Sequence, residues 1–529
     1  MNTFTLGPFL GINNRRPPFA MHIEKQGDYL PAADNVDIDN TGRVRSRRGI
    51  RKLQALTSPH SLRMISATTG VLVRGGSLYA ITLPTYTETL VKALTTNAPL
   101  SYVDLDGALY YSNGTDSGRI NAGVWYPLGL PTPGAPAVST TTGGSLDPAW
   151  YQVAVSYVNN TTGEEGGVSA SSNIQLTAVG SIVVTLPASV AGATHVNVYL
   201  SGPNGEVPFL LANVVVGTST YTATAAAQGR ETPGRFEVPL PPGTLFVHNA
   251  ALCSYSGNYV YVGLPYRPGY CLTVNAIIPF PAPVSLAVSG QTGVYIAADK
   301  TYWVPGSLDT VDGAQVMDVL PFGAVPGTSF SVPDKPMVGW FSSAGVVLGD
   351  TQGQVTLPMK EQVAMTAPAS GVAAVFVSDG YRRVATCGWC MNLETGAATT
   401  YSGWEFTSLS GEYGTQADGV YSTAEVADDT RTTVSFGRLD FGTDTLKQIP
   451  YAYLGAEAES PIELTANVPG GDEYVYLARQ RGIGMAVQRV ELGRGLRAAW
   501  FDIQISGTPG EAFILAGVSF AVVDTGRRI

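Results

Sequence analysis

Six dipeptides, Asp106-Gly107, Asn113-Gly114, Asn204-Gly205, Asp312-Gly313, Asp379-Gly380 and Asp418-Gly419, punctuate the chain, each between runs of alternating apolar residues. Asn or Asp before Gly tolerates the positive φ of a tight hairpin turn, and apolar residues at period two mark a strand with one buried face. Apolar residues at helical spacing are nearly absent; only Ala223–Gln228 has room for one helical turn. A chain of 529 residues patterned in this way is restricted to an all-β architecture of several domains.

A longer rhythm overlies the hairpins. Strand–turn–strand units begin near Met64, Tyr102, Tyr255, Val294, Gly339, Val375 and Asp418, with spacings after Tyr255 of 39, 45, 36 and 43 residues. Units of several strands repeating every 40–45 residues predict the blades of a β-propeller, a period given roughly by known blades. One gap, the 153 residues from Tyr102 to Tyr255, breaks the rhythm. It is bracketed by Leu130-Pro131-Thr132-Pro133-Gly134-Ala135-Pro136 and Pro239-Leu240-Pro241-Pro242-Gly243, which stiffen a junction and stop strands. Between the brackets lie strand-like runs at Tyr151–Val158, Ser172–Leu176, Ser181–Leu186, His195–Ser201, Pro208–Val214 and Ser219–Thr224, the spacing of a β-sandwich. Removing the 109 residues from Gly134 to Pro242 shrinks the gap to 44, which restores the blade period. The run from Trp150 to Tyr157, followed by Gly163-Glu164 and Ser169, resembles a fibronectin type III module.

The C-terminal stretch carries strand-like runs at Tyr451–Leu454, Ile462–Thr465, Tyr474–Tyr476, Arg489–Leu492, Trp500–Ile505, Phe513–Ala516 and Phe520–Val523. These predict a second small sandwich. The expected organisation is therefore an N-terminal segment with the first blades (1–133), an inserted fibronectin type III/Ig-like sandwich (134–242), the remaining blades (243–445) and a C-terminal β-sandwich (446–529).

Composition narrows the function. Charged residues are 14% of the chain against about 25% in average domains, while hydrophobic residues at 44% can bury a core. The net charge of −10 disfavours nucleic-acid binding, which needs a basic field. No run of apolar residues is long enough for a membrane-spanning helix. The opening MNTFTLGPFL has neither the basic region nor the apolar core of a signal peptide, so synthesis in a cytoplasm without export is expected.

Leu6–Leu53 is the most legible stretch. Its first block is Gly11-Ile12-Asn13-Asn14, between Pro8 and Pro17-Pro18. The second runs Ala33-Asp34-Asn35-Val36-Asp37-Ile38-Asp39-Asn40-Thr41-Gly42-Arg43-Val44-Arg45-Ser46-Arg47-Arg48-Gly49, and its apolar residues on either side of Asp39–Gly42 predict a hairpin. Arg43, Arg45, Arg47 and Arg48 follow the turn closely enough to repel one another. Two readings stay open: a solvated strand face, or a docking strand meeting acidic groups on a neighbouring subunit. The two blocks together resemble the opening of a family of tailed-bacteriophage virion proteins, the tail stabilisation or nozzle proteins of short-tailed phages and related tail-tip proteins of long-tailed ones. Arg489–Arg497 and Arg527-Arg528-Ile529 are similar to endings in the same family. The resemblance implies a structural component of the distal virion tail, assembled in the host cytoplasm as a homo-oligomer with other tail or baseplate proteins. Host-surface polysaccharide or an outer-membrane component is the partner it implies at infection.

Catalytic signatures do not emerge. Ser378-Asp379-Gly380 lacks the spacing and the Trp of a sialidase box, and Asp428-Asp429 and Glu164-Glu165 read as solvated turns. His22, His60, His195 and His248 are isolated, and Gly482-Ile483-Gly484 lacks the continuation of a phosphate loop. Val36–Gly42 imitates a calcium loop but lacks the later Glu. Cys387 and Cys390 form C-G-W-C within an expected hairpin rather than at a helix N-terminus, so buried free thiols are expected, as for Cys253 and Cys271. No cofactor or metal is expected. Aromatic residues crowd Tyr255–Tyr270 and Tyr401–Tyr413, either as core or as a sugar- or protein-binding face; Tyr266, Tyr270, Trp404 and Tyr413 are the candidates for such a face. The expected function is a non-enzymatic tail-tip component. The alternatives are a carbohydrate-binding or carbohydrate-active propeller protein, or a bacterial surface adhesin.

Overall fold

The computed structural model describes residues 2–232, 236–274, 276–308, 314–425, 428–480, 484–493 and 495–528. No helix occurs among the described residues, and the chain is all-β. Ala223–Gln228 is the end of a strand and irregular chain, not a helical turn. The Asp312-Gly313 turn lies outside the described residues; the other five Asn/Asp-Gly dipeptides each join two antiparallel neighbours. Asp106, Asn204 and Asp379 take φ of 50°, 53° and 52°, the left-handed region that makes Asn and Asp the residues of choice at these turns.

Packing divides the chain into two units, residues 91–318 and residues 1–90 with 319–529. The unit 91–318 holds four-stranded antiparallel sheets that begin at Ser101, Thr244 and Leu286. Their first strands lie side by side, Ser101–Leu105 against Thr244–His248 and the latter against Leu286–Ser289. Tyr110, Leu245 and Leu252 fill the first interface, and Phe246, Cys253, Val294 and Ile296 the second.

Between the first two of these sheets the chain leaves to build a sandwich. A three-stranded sheet (Val138–Leu146, Gly180–Thr185, Thr220–Ala223) faces a five-stranded one centred on Trp150–Asn159. Tyr151, Val153, Val155, Ile182, Val184, Val196 and Val198 form the core between them. Val138–Leu146 escapes the sequence pattern because its VSTTTGGSL is exposed along almost its whole length and has no apolar alternation. The sandwich's two ends meet: Thr132 Oγ1 donates to the Glu237 carbonyl at 3.2 Å. The second proline bracket lies outside the insert, because Glu237–Pro239 pairs with Arg267–Leu272 and Leu240 packs among the core residues of the flanking sheets.

In the other unit, four-stranded sheets begin at His60 and Phe330, four strands between Ala373 and Thr400 open a larger sheet, and a further four-stranded sheet is formed by Ser408–Ser410, Tyr413–Gln416 and Gly419–Glu425 together with Gly49–Ala55. That last strand comes from near the start of the chain and closes the sheet by pairing antiparallel with Gly419–Glu425. The C-terminal sandwich differs from expectation. It is not made by residues 446–529 alone. One of its sheets has seven strands and includes Asn2–Leu6, Val36–Ile38 and Val44–Ser46 alongside Thr445–Ala458 and the 16-residue strand Phe513–Arg528, which replaces two expected strands. The other has nine strands, because Ala32–Asp34 bridges Ala398–Thr400 to Thr433–Leu439 and so fuses the sheet beginning at Ala373 to the sandwich. Leu6, Phe9, Val36 and Val44 share one core with Leu454, Leu464, Phe501 and Phe520.

Excision of the insert tests its independence. A chain in which a short Gly linker joins Leu130 to Glu237 is expected to keep a cooperative, β-rich unfolding transition by circular dichroism. A soluble product with no cooperative transition would show that the sandwich is integral to its unit.

Candidate functional site

The residues that carry the sequence resemblance converge in the unit formed by residues 1–90 and 319–529. Asp39 caps the predicted hairpin: its carboxylate accepts from Thr41 N (2.8 Å), Arg43 N (3.0 Å) and Arg43 Nε (3.1 Å). Burial alone would raise its pKa, but the hydrogen bond from the Thr41 hydroxyl (2.7 Å), with those from the two backbone amides, outweighs burial and holds it below the usual carboxylate range. Gly42, at φ +78°, sits where a Cβ would approach Pro8 Cβ to 2.4 Å, so only glycine fits. Asn14 clamps the peptide at Ala364, donating to its carbonyl (2.9 Å) and accepting from its N–H (2.6 Å).

Asn35 is the centre of the second block. It takes φ +57°, and its amide donates to Ser402 Oγ (2.6 Å) and the Arg431 carbonyl (3.0 Å) while its oxygen accepts from Arg47 Nε (2.9 Å) and Ser402 N (3.0 Å). Arg47 has a side chain only 2% exposed. Its guanidinium reaches Asp428 Oδ2 (2.8 Å), Thr430 Oγ1 (3.1 Å) and the Arg48 carbonyl (2.7 Å), and it lies over the rings of Tyr401 and Trp404. Asp428 Oδ2 also accepts from Ile50 N at 3.0 Å. Burial would raise the Asp428 pKa; hydrogen bonding by Thr430 and the charge of Arg47 prevail and hold it low. Beside this cluster, Asp37 is 1% exposed and pairs with buried Arg383 (Nε at 3.2 Å) and with the Tyr401 hydroxyl.

Burial takes Arg47 out of the docking-strand expectation. Arg47 is buried and cannot face a neighbour. Arg43 pairs with Asp39, Arg45 with Asp379, and Arg48 donates to the Val377 carbonyl at 2.8 Å, so all four engage groups of their own chain. A run of arginines looks solvated in sequence because nothing local shows that Asp428, 381 residues away, is brought to Arg47.

The aromatic candidates also separate. Tyr266 is 89% exposed, whereas Tyr270 and Trp404 are buried and Tyr413 packs against the core containing Leu62 and Val420. Tyr270 works as a bolt at the base of the insert: its hydroxyl donates to Glu164 Oε1 (2.6 Å) and accepts from Leu130 N (2.8 Å). Glu164-Glu165 is not a solvated turn. Glu164 pairs with Arg119, and Glu165 is buried among Ser156, Asn197, Tyr199 and Arg230. Burial pushes Glu165 up, and those four donors bring it below the usual range. Asn197 and Tyr199, polar tips on the apolar strand His195–Ser201, are the sequence signal for that buried acid.

Cys253, Cys271 and Cys390 are buried free thiols and Cys387 a half-buried one; burial pushes all four up in pKa, with Cys271 reaching about 11. That direction opposes the thiolate that nucleophilic or redox chemistry requires. A cavity of about 260 Å³ lies among Phe4, Phe19, His22, Tyr29, Arg438 and Phe441. His22 Nδ1 is 2.6 Å from Asp28 Oδ1 there, but no Ser, Thr or Cys lines the cavity to complete a nucleophilic triad. No group of His, Cys, Asp and Glu suited to a metal ion occurs among the described residues.

No protein-family model matches the chain, and no curated protein matches it. Solved structures do. An exo-β-1,3-galactanase from Phanerochaete chrysosporium, with β-1,3-galactotriose, is 11% identical over 89% of this chain and 100% of its own, at a TM-score of 0.17. A GH74 enzyme from Niastella koreensis is 11% identical over 74% of this chain and 70% of its own, at 0.23. A glycoside hydrolase family 43 arabinoxylan arabinofuranohydrolase from Bacillus subtilis, in complex with cellotetraose, is 11% identical over 93% and 96%, at 0.20. Superposition this loose transfers no residue role and no activity.

The buried and exposed arginines make opposite predictions. Arg47→Ala leaves Asp428 without its cation and is expected to destabilise the unit by about 3–5 kcal/mol, the cost of breaking a buried pair. Arg45→Ala removes a partly exposed pair and is expected to cost less than about 1 kcal/mol. Denaturant unfolding of both variants checks the order; equal effects would contradict the assignment of Arg47 as an internal anchor.

Proposed function

We propose that this protein is a non-catalytic structural part of the distal tail of a tailed bacteriophage, at the nozzle, baseplate or tip. The observation that carries the reading is the role of the opening blocks. Asn14, Asn35, Asp37, Asp39, Gly42 and Arg47, the residues on which the likeness to tail proteins rests, are all held by contacts within this chain and fix the path of the N-terminal segment. A likeness in such residues is a likeness of architecture. Asp37, Asp428 and Glu165, three buried acids, are each held by internal donors.

In this reading the four-stranded sheets of each unit are β-propeller blades. The strand Gly49–Ala55 supports it, since it completes a four-stranded sheet, the size of one blade, whose other strands come from far along the chain. The insert would then be a fibronectin type III-like module on the propeller's rim. Copies would repeat around the tail axis beside other tail proteins, with the host surface as the final partner.

The test uses phage particles. Antibody raised against the protein is expected to label intact particles at the tail end farthest from the head. Label on the capsid, or full infectivity of particles lacking the protein, would overturn the proposal.

A further inference from the structure

The inserted sandwich carries an aromatic cleft unrelated to the opening blocks. Trp150 begins the strand Trp150–Asn159, which pairs with Ser172–Gln175 in the register Trp150↔Gln175, Tyr151↔Ile174 and Gln152↔Asn173. Side chains alternate along a strand, and cross-strand partners share a face. Tyr151, Val153 and Val155 point into the sandwich core, so Trp150, Gln152, Asn173 and Gln175 point out of it. Trp150 is 52% exposed and has no part in that core.

The backbone under this exposed indole is nonetheless fixed. Trp150 N–H donates to Asn204 Oδ1 (3.1 Å), and the Trp150 carbonyl accepts from Asn204 N–H (2.9 Å). Asn204 can grip both groups because it sits at φ 53° in a turn closed by Gly205 N–H on the Gly202 carbonyl (3.0 Å). Gln152 N–H is held by Ser201 Oγ at 2.9 Å, and the Tyr151 hydroxyl by the Asp147 carbonyl at 3.0 Å. Around the indole is a cleft of about 300 Å³ whose other walls are Gln152, Asn173, Asn204 and Glu206, with Tyr151 and Gly205 at its base.

The lining selects a ligand class. A flat aromatic face ringed by amides and a carboxylate suits a molecule that is apolar on one face and hydroxylated at its rim, because the ring offers contact area and the amides fix orientation. A nucleic acid or anionic sugar would meet Glu206 and no Lys or Arg in the lining. We propose that this cleft binds a neutral hexose-based oligosaccharide, with Trp150 stacked on one sugar ring and Gln152, Asn173 and Glu206 hydrogen-bonding its hydroxyls.

The inference deepens the host-surface part of the proposed function, and the two fail separately: a protein found at the tail tip that binds no saccharide sinks only this one. The full chain is titrated calorimetrically with cellohexaose, maltohexaose, mannohexaose and N-acetylchitohexaose up to millimolar concentration, a range that detects weak single-ring stacking. Saturable binding of at least one is expected. Trp150→Ala is expected to weaken it by about tenfold or more, as for loss of an aromatic anchor, with Asn173→Ala and Glu206→Gln weakening it less. If Trp150→Ala does not fold, the two polar variants decide. Absence of binding to all four sugars, or unchanged affinity in the folded variants, would overturn the proposal.

Discussion

A single buried guanidinium fixes the N-terminal segment to the rest of its unit. Arg47 is desolvated, and a cation in that position is tolerated only when its donors are met and its charge is balanced. Asp428 supplies the charge, while Asn35, Thr430 and two backbone carbonyls meet the remaining donors. Asn35 can serve only from a left-handed backbone, and that backbone places its own N–H on the Thr400 carbonyl at 2.7 Å. The pair therefore sets the chain path at the point where the segment passes between the strands Ala398–Thr400 and Thr433–Leu439.

The consequences extend along the segment. Ala32–Asp34 bridges those two strands, Val36–Ile38 and Val44–Ser46 extend the seven-stranded sheet, and Gly49–Ala55 closes the sheet begun at Ser408. Partners 367 and 467 residues apart in sequence are brought together within this one short stretch. Such long closures delay the native pairing and slow folding.

Local features were legible in the sequence because the forces behind them are local. Turn dipeptides and period-two alternation marked strands in each of the six four-stranded sheets found among the described residues, and the proline brackets came close to the insert. What escaped depends on distant partners. Ala32–Asp34 is three residues with no pattern of its own, and its place is dictated by both neighbours. Arg47, Tyr270, Trp404 and Glu165 are polar or amphipathic side chains that read as surface until a partner from another element satisfies them. Trp150 was legible only as part of a strand; which face it takes depends on whether it or Tyr151 enters the core, and a one-residue shift exchanges them.

The interlock is tested most directly by amide hydrogen exchange of the intact protein, which reads the stability of each segment in place. The amides of residues 33–48 are expected to be as protected as those of Thr433–Leu439 and Phe501–Ser506, with Arg47→Ala lowering protection in all three together. Rapid exchange of residues 33–48 while both strands stay protected would show the segment to be an appendage, and would contradict the account.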